Sequence, residues 1–308
     1  MDSITVITLI ISMSACLVAY LAKKVFINRS SGGMTPVYVF NAVGCIVSAL
    51  VLFAWGGVKG ASLFTILLGA LFGITVSLQG AFMTQALQIG PMSYTIVIST
   101  CSTVFTALSG FFFFDERIGA FQIVGIVLML SSFVFANEKK EDEKKGNLKW
   151  FIYSILAFIG SGAIGFMQKI HQTSQYKGEL NEFLVIAFAI SFVFSTVMAL
   201  IYAKRDKQPL LEKTESGKVN WTIIAIMILS GACVAANHKL NLALSGVIDS
   251  AIFFPLVNGG NLVLTTLSAL LIFKERLTKK QWIGVLLGAL SVLFLCLPKE
   301  ALFSFALK

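Results

Sequence analysis

Apolar runs of about 20 residues alternate with short polar breaks along almost the whole chain. A helix of roughly that length is needed to cross a hydrocarbon core about 30 Å thick. The pattern predicts ten spans, at about 4–21, 36–54, 62–87, 93–114, 118–136, 148–168, 183–203, 221–244, 250–273 and 281–297. The breaks carry their own signals. Gly90-Pro91 stops the third span, and Asp115-Glu116-Arg117 separates the fourth from the fifth. A mixed-charge run over 137–146 is the one clear linker.

One stretch of this pattern occurs twice. Thr106-Ala-Leu-Ser-Gly-Phe-Phe-Phe-Phe-Asp-Glu-Arg117 aligns without a gap on Thr265-Thr-Leu-Ser-Ala-Leu-Leu-Ile-Phe-Lys-Glu-Arg276. The match continues into the following spans, where Gln122 and Gly125 stand opposite Gln281 and Gly284. A self-match of this kind means duplication. It divides the chain into a first five-helix repeat (1–137), a charged linker (138–147) and a second five-helix repeat (148–308). An odd number of spans per repeat turns the second copy upside down in the membrane. The expected fold is therefore all-α integral membrane, ten transmembrane helices as two inverted five-helix repeats, an architecture that recurs in secondary transporters.

Composition excludes a soluble protein. The chain is 57% hydrophobic and 13% charged, against about 25% charged in ordinary soluble domains. Its net charge of +9 then belongs to loops facing anionic headgroups, and no nucleic-acid partner is expected. Lys and Arg concentrate in the loops after odd-numbered spans, with Lys169 among the few assigned to the opposite side. Those rich loops should be cytoplasmic and both termini extracytoplasmic, in a multi-pass protein of the cell inner (plasma) membrane. The cysteines, Cys16, Cys45, Cys101, Cys233 and Cys296, lie inside apolar runs and read as small buried hydrophobes. The first span has an acid before it and Lys23-Lys24 after it, the reverse of a signal peptide.

Gly90-Pro-Met-Ser-Tyr94 opening a span, Phe114-Asp-Glu-Arg117 closing it and Gln122-Ile-Val-Gly125 in the next resemble the EamA repeat of the drug/metabolite transporter superfamily. Phe253-Phe-Pro-Leu-Val-Asn-Gly-Gly260, Phe273-Lys-Glu-Arg276 and Gln281-Trp-Ile-Gly284 resemble it a second time. The resemblance covers nearly the whole chain. It implies a monomeric or homodimeric carrier of small organic metabolites working by alternating access, its cavity lined mainly by spans one, three, four, six, eight and nine. The Glu-Arg turns of the motif read as structural caps at the membrane surface.

An ionisable group inside a span costs about 2.5–3.5 kcal/mol on insertion scales, so each one is a functional candidate. Span eight carries the most polar cluster, Asn237-His238-Lys239 with Asn241. Lys239 either faces a cavity or snorkels outward, where Asp249 could pair with it; His238 either titrates in the cavity or packs between helices. The self-alignment sets Gln79 and Gly80 opposite Ala236 and Asn237, so polarity recurs at one depth in spans three and eight. In span nine Pro255, Gly259 and Gly260 predict a bend, with Phe254 and Asn258 on one stripe and Asn261 close by. Tyr94 and Ser99 are the corresponding positions of span four, whereas Ser14 and Tyr20 are candidates through the resemblance alone. Gly69 and Gly73, like Gly284 and Gly288, read as close-packing pairs inside the molecule.

No mid-membrane carboxylate, phosphate loop, metal-ligand motif or cofactor motif is present. The reading is a secondary transporter of a small neutral or anionic metabolite with a flat or aromatic part. An amino-acid exporter or a choline-like cation transporter of the same fold is the alternative, and an integral membrane enzyme is the reading from a different class.

Overall fold

Each apolar run folds as a helix, because backbone groups out of water must find partners within their own segment. In a computed structural model the described residues are 2–29, 34–89, 95, 98–99, 101–136, 147–207, 209–210, 220–273 and 278–297. They form ten α-helices, a 3-10 turn at Lys177–Glu179 and no strand. The helices are α1 (Ser3–Arg29), α2 (Met34–Gly56), α3 (Leu63–Ile89), α4 (Ser102–Phe113), α5 (Ala120–Ala136), α6 (Leu148–Thr173), α7 (Leu180–Asp206), α8 (Trp221–Ser245), α9 (Ser250–Phe273) and α10 (Lys279–Cys296). Six of them are long and apolar enough to cross a membrane: α1, α2, α3, α6, α8, and α7 with the turn before it. The Gly90-Pro91 break, the charged linker over 138–146 and the second Glu-Arg turn lie outside the described residues.

Two compact units divide the chain, 1–77 with 171–244 and 78–170 with 245–308. In the first, α3 approaches α7 through glycine: a Cβ on Gly69 would stand 3.0 Å from the Phe183 carbonyl oxygen, and one on Gly73 would overlap the Ala187 carbonyl. Ser191 Oγ uses this proximity to donate to the Gly73 carbonyl at 3.0 Å. On α2, Ser48 Oγ donates to the Gly231 carbonyl of α8 at 2.7 Å, and Tyr38 stacks on Tyr202 of α7 with ring centroids 5.4 Å apart.

In the second unit α5 and α10 lie side by side. Ser132 Oγ donates to the Gly284 carbonyl at 2.6 Å, and Gly125 leaves room for Leu295. Both pairs of spaced glycines named from the sequence thus serve contacts inside a unit. α10 begins with a capping box, Thr278 and Gln281 exchanging hydrogen bonds at 3.2 and 3.0 Å. α9 runs unbroken from Ser250 to Phe273 through Pro255; the proline removes one N–H early in the helix without ending it.

The first Glu-Arg turn is a cap, though of a different helix from the one it follows. Asp115 takes the left-handed conformation (φ 52°), and Glu116 Oε2 accepts the Ser250 N–H at the start of α9, at 2.6 Å. A carboxylate there satisfies an otherwise unpaired donor and meets the positive end of the helix dipole. Its other oxygen lies 2.6 Å from Lys169 Nζ, with both side chains buried. Lys169 also donates to the Ile248 carbonyl at 3.1 Å. This corrects the placement of Lys169 in a loop: α6 extends to Thr173 because its charged residue has a buried partner.

Candidate functional site

The polar residues of α8 are consecutive, and a helix rotates about 100° per residue, so they cannot share one face. The structure distributes them over four neighbouring helices in the first unit. Asn237 and Asn241, one turn apart, meet α1. Asn237 Nδ2 donates to the Ser12 carbonyl at 2.9 Å and to Ser12 Oγ at 3.2 Å, and Ser12 Oγ donates to Asn241 Oδ1 at 2.6 Å. Ser12 is fully buried and was not singled out from the sequence. Its neighbour Ser14 is exposed on α1, as is Tyr20.

His238 turns toward two phenylalanines and receives both edge-on: Phe72 of α3 with centroids 6.3 Å apart and Phe188 of α7 at 5.3 Å. Lys239 turns toward α2 and α7. Its Nζ donates to Asn181 Oδ1 at 3.2 Å and lies 4.4 Å from the centre of the Trp55 ring, within reach of a cation–π contact. Asn181 is itself held by α2, donating to the Leu52 and Gly57 carbonyls at 3.0 and 2.6 Å. Next to it, buried Glu182 accepts the Lys59 N–H at 3.0 Å. Neither Asn181 nor Trp55 stood out in the sequence, since each has meaning only beside Lys239.

The second unit holds two further polar pairs. Gln79 Nε2 donates to Ser161 Oγ at 3.0 Å, and Ser99 Oγ lies 3.3 Å from the same hydroxyl. Gly160 makes room for Gln79, since a Cβ there would come within 2.8 Å of the Gln79 Cβ. The structure thus joins two predicted residues through Ser161, which sequence pattern did not mark. Asn258 Nδ2 donates to Thr103 Oγ1 at 2.8 Å. Phe254, one turn earlier, is buried against Gly165 of α6, so amide and ring do not present one open stripe. Asn261 is half-buried, and Tyr94 lies outside the described residues.

Chemically these positions offer amides, hydroxyls, one imidazole and one ammonium on helices. Among the described residues no group of three His, Cys, Asp or Glu side chains could hold a metal ion. The Asn237–Ser12 bonds tie α8 to α1, and interhelical bonds of this kind contribute about 1 kcal/mol each. Asn237→Leu should lower the unfolding free energy in detergent by about 1–2 kcal/mol, whereas Ser14→Ala should leave it unchanged. Equal stability of both variants would show that the Asn237 bonds contribute nothing.

The sequence pattern of the EamA-like transporter family matches residues 3–137. An uncharacterized protein of Haemophilus influenzae is 23% identical over 214 residues, 69% of this chain and 68% of that protein. A protein of known crystal structure has the same fold, with a TM-score of 0.76 at 12% identity over 98% of this chain and 99% of that one. Identity that low speaks to fold alone. Six apolar helices of crossing length and this family pattern make the chain a multi-pass membrane protein. Over residues 3–137 the chain is similar to the EamA-like transporter family.

Proposed function

We propose that the protein is a secondary transporter that moves a small organic metabolite, neutral or anionic, across the plasma membrane by alternating access. The observation that carries this reading is the duplicated helix–turn–helix stretch, its turns closing at Arg117 and Arg276, in a chain of ten apolar spans. Two copies of an odd-numbered unit enter the membrane in opposite senses, and exchange of one asymmetric conformation between them yields outward-open and inward-open states. The family pattern over residues 3–137 supports the same reading.

The substrate class follows from the side chains. Ser12, Asn237, His238, Lys239 and Asn241 bring hydroxyl, amide, imidazole and ammonium groups to one stretch of α1 and α8. None of the five is a carboxylate, which favours a ligand with acceptor oxygens over a bare cation. Lys239, which meets a neutral amide and a ring and lies in the field of the Glu182 carboxylate, is the group we assign to an anionic or carbonyl part of the ligand. The enriched Lys and Arg of the odd-numbered loops put both termini outside the cytoplasm in this reading.

Thermal stabilisation of the purified protein against a metabolite library tests it. A ligand at 100 times its dissociation constant stabilises by about 2.7 kcal/mol. Stabilisation by carboxylates or neutral metabolites that disappears in Lys239→Ala is the expected result. A response to quaternary ammonium compounds alone would replace the anionic reading with the cation one.

A further inference from the structure

Two lysines of this chain, each acted on by a carboxylate, are used differently. Lys169 closes on Glu116 at 2.6 Å. Lys239 does not close on Glu182, although that carboxylate acts on it. Its bond goes to Asn181 Oδ1 at 3.2 Å, and the Trp55 ring centre lies 4.4 Å away. Asn181 cannot turn its other end to the ammonium. The nitrogen of its amide is spent on the Leu52 and Gly57 carbonyls, and the side chain lies against Gly56, where a Cβ would come 2.7 Å from Cγ. An ammonium has three N–H donors. Asn181 takes one and the Trp55 ring can receive a second; among the described residues no further acceptor meets Lys239.

Glu182 is fixed where it stands. It is buried, and its Oε1 accepts the Lys59 N–H at 3.0 Å, in the turn between α2 and α3. Glu179, three residues earlier, is committed to the Ser62 N–H and hydroxyl at 2.9 and 2.7 Å. His171 of α6, its ring buried between Phe64 and Phe183 (centroids 6.4 and 4.5 Å apart), is acted on by both carboxylates. Among the described residues Glu182 is the charged group that acts on Lys239. The half-buried ammonium therefore keeps a donor for an outside acceptor while its charge is already offset. A lysine kept for structure alone would close on the carboxylate, as Lys169 does. Asn181 holds this one on an amide instead.

We propose that Glu182 sets the charge of the ligand at Lys239: the site takes a molecule of no net charge whose oxygen accepts from the ammonium. Asn181 is the positioning residue that presents Lys239 to it. This rests on the assignment of Lys239 to the ligand and narrows the class from neutral or anionic to neutral. A monoanion would gain the ammonium but meet the buried carboxylate beside it, and like charges brought together in this way cost affinity. An uncharged carbonyl compound meets no such penalty. A zwitterion belongs to the same class, since its own ammonium offsets the approach of its carboxylate to Glu182.

Acetylation of Lys239 by two matched reagents tests this. N-hydroxysuccinimidyl acetate and its sulfonated analogue transfer the same acetyl group, one from an uncharged molecule and the other from an anion. Full-length protein in detergent would be treated with each, and acetylation read by peptide mass spectrometry at Lys239 and at Lys204, exposed at the far end of α7. In Glu182→Gln the rate with the anionic reagent, relative to the uncharged one, should rise about tenfold at Lys239 and stay unchanged at Lys204. The glutamine keeps an acceptor for the Lys59 N–H, and a change in amine basicity affects both reagents alike and cancels in the ratio. An unchanged ratio at Lys239, or no acetylation there by either reagent, would overturn the proposal. The transport reading fails or stands separately. A monoanionic metabolite whose stabilisation is lost in Lys239→Ala would keep that reading and overturn this one.

Discussion

Glu116→Ala should destabilise the protein by about 3–5 kcal/mol, because it leaves an ammonium buried without its counter-charge. Lys169 would lose the Glu116 carboxylate while its bond to the Ile248 carbonyl remains. The same change removes the acceptor of the Ser250 N–H and hydroxyl at the start of α9. Lys169→Met should cost less, since Glu116 would still accept both hydrogen bonds from Ser250. The two effects should be strongly non-additive. With both charges gone, Glu116→Leu with Lys169→Met should be closer to the parent protein than Glu116→Ala alone, as paired removal avoids the stranded charge. Equilibrium unfolding of the four proteins in mixed micelles measures this. Additive losses would mean that the 2.6 Å pair contributes no interaction energy of its own.

The parts of this structure that were readable from the chain are those set by local pattern. Apolar runs gave ten helices because spanning length and internal hydrogen bonding leave little choice. Glycines spaced by four pointed to close helix contacts: at 69 and 73 only a missing Cβ admits the Phe183 and Ala187 carbonyls, and at 288 it leaves room for the Ser132 and Val263 side chains. What pattern cannot supply is the partner. Lys239 could be marked as costly inside a span, but its contact with Asn181 of α7 and Trp55 of α2 depends on tertiary packing. His171 was passed over because the apolar run ends at Gln168, and the residues that bury the imidazole come from two other helices.

The repeat itself conceals a further difference. Gln122 and Gln281 match in the self-alignment, yet they do unrelated things. Gln281 caps its own helix with Thr278. In the first copy glycine stands at 119 where the second has Thr278, so no hydroxyl is available to complete the box. Gln122 is buried instead and donates to the Leu297 carbonyl at the end of α10, at 3.0 Å. Duplication preserved the residue, and one substitution three positions away reassigned its bond.

Gly73→Ala should destabilise the first unit by about 1–3 kcal/mol, the usual cost of forcing extra volume into a filled contact. The added methyl would overlap the Ala187 carbonyl oxygen and lie 3.0 and 3.1 Å from the carbon atoms next to it. These are backbone atoms, so no rotamer change can relieve the overlap; α3 and α7 must separate. Separation would lengthen the Ser191 bond to the Gly73 carbonyl and loosen Phe72, which is buried against Phe183 and stands perpendicular to the His238 ring. Gly44→Ala is the matched control. It also lies within a membrane helix of the same unit, but nothing comes within 4 Å of its added Cβ, and alanine gains up to about 1 kcal/mol of helix propensity over glycine. Unfolding in detergent should therefore separate the two variants by at least about 1 kcal/mol, with Gly73→Ala the less stable. The same order should appear in the His238 imidazole signal, shifted by Gly73→Ala and unmoved by Gly44→Ala. Equal stability would mean that α3 and α7 can part without loss, and that the glycine pair does not hold Phe72 against His238.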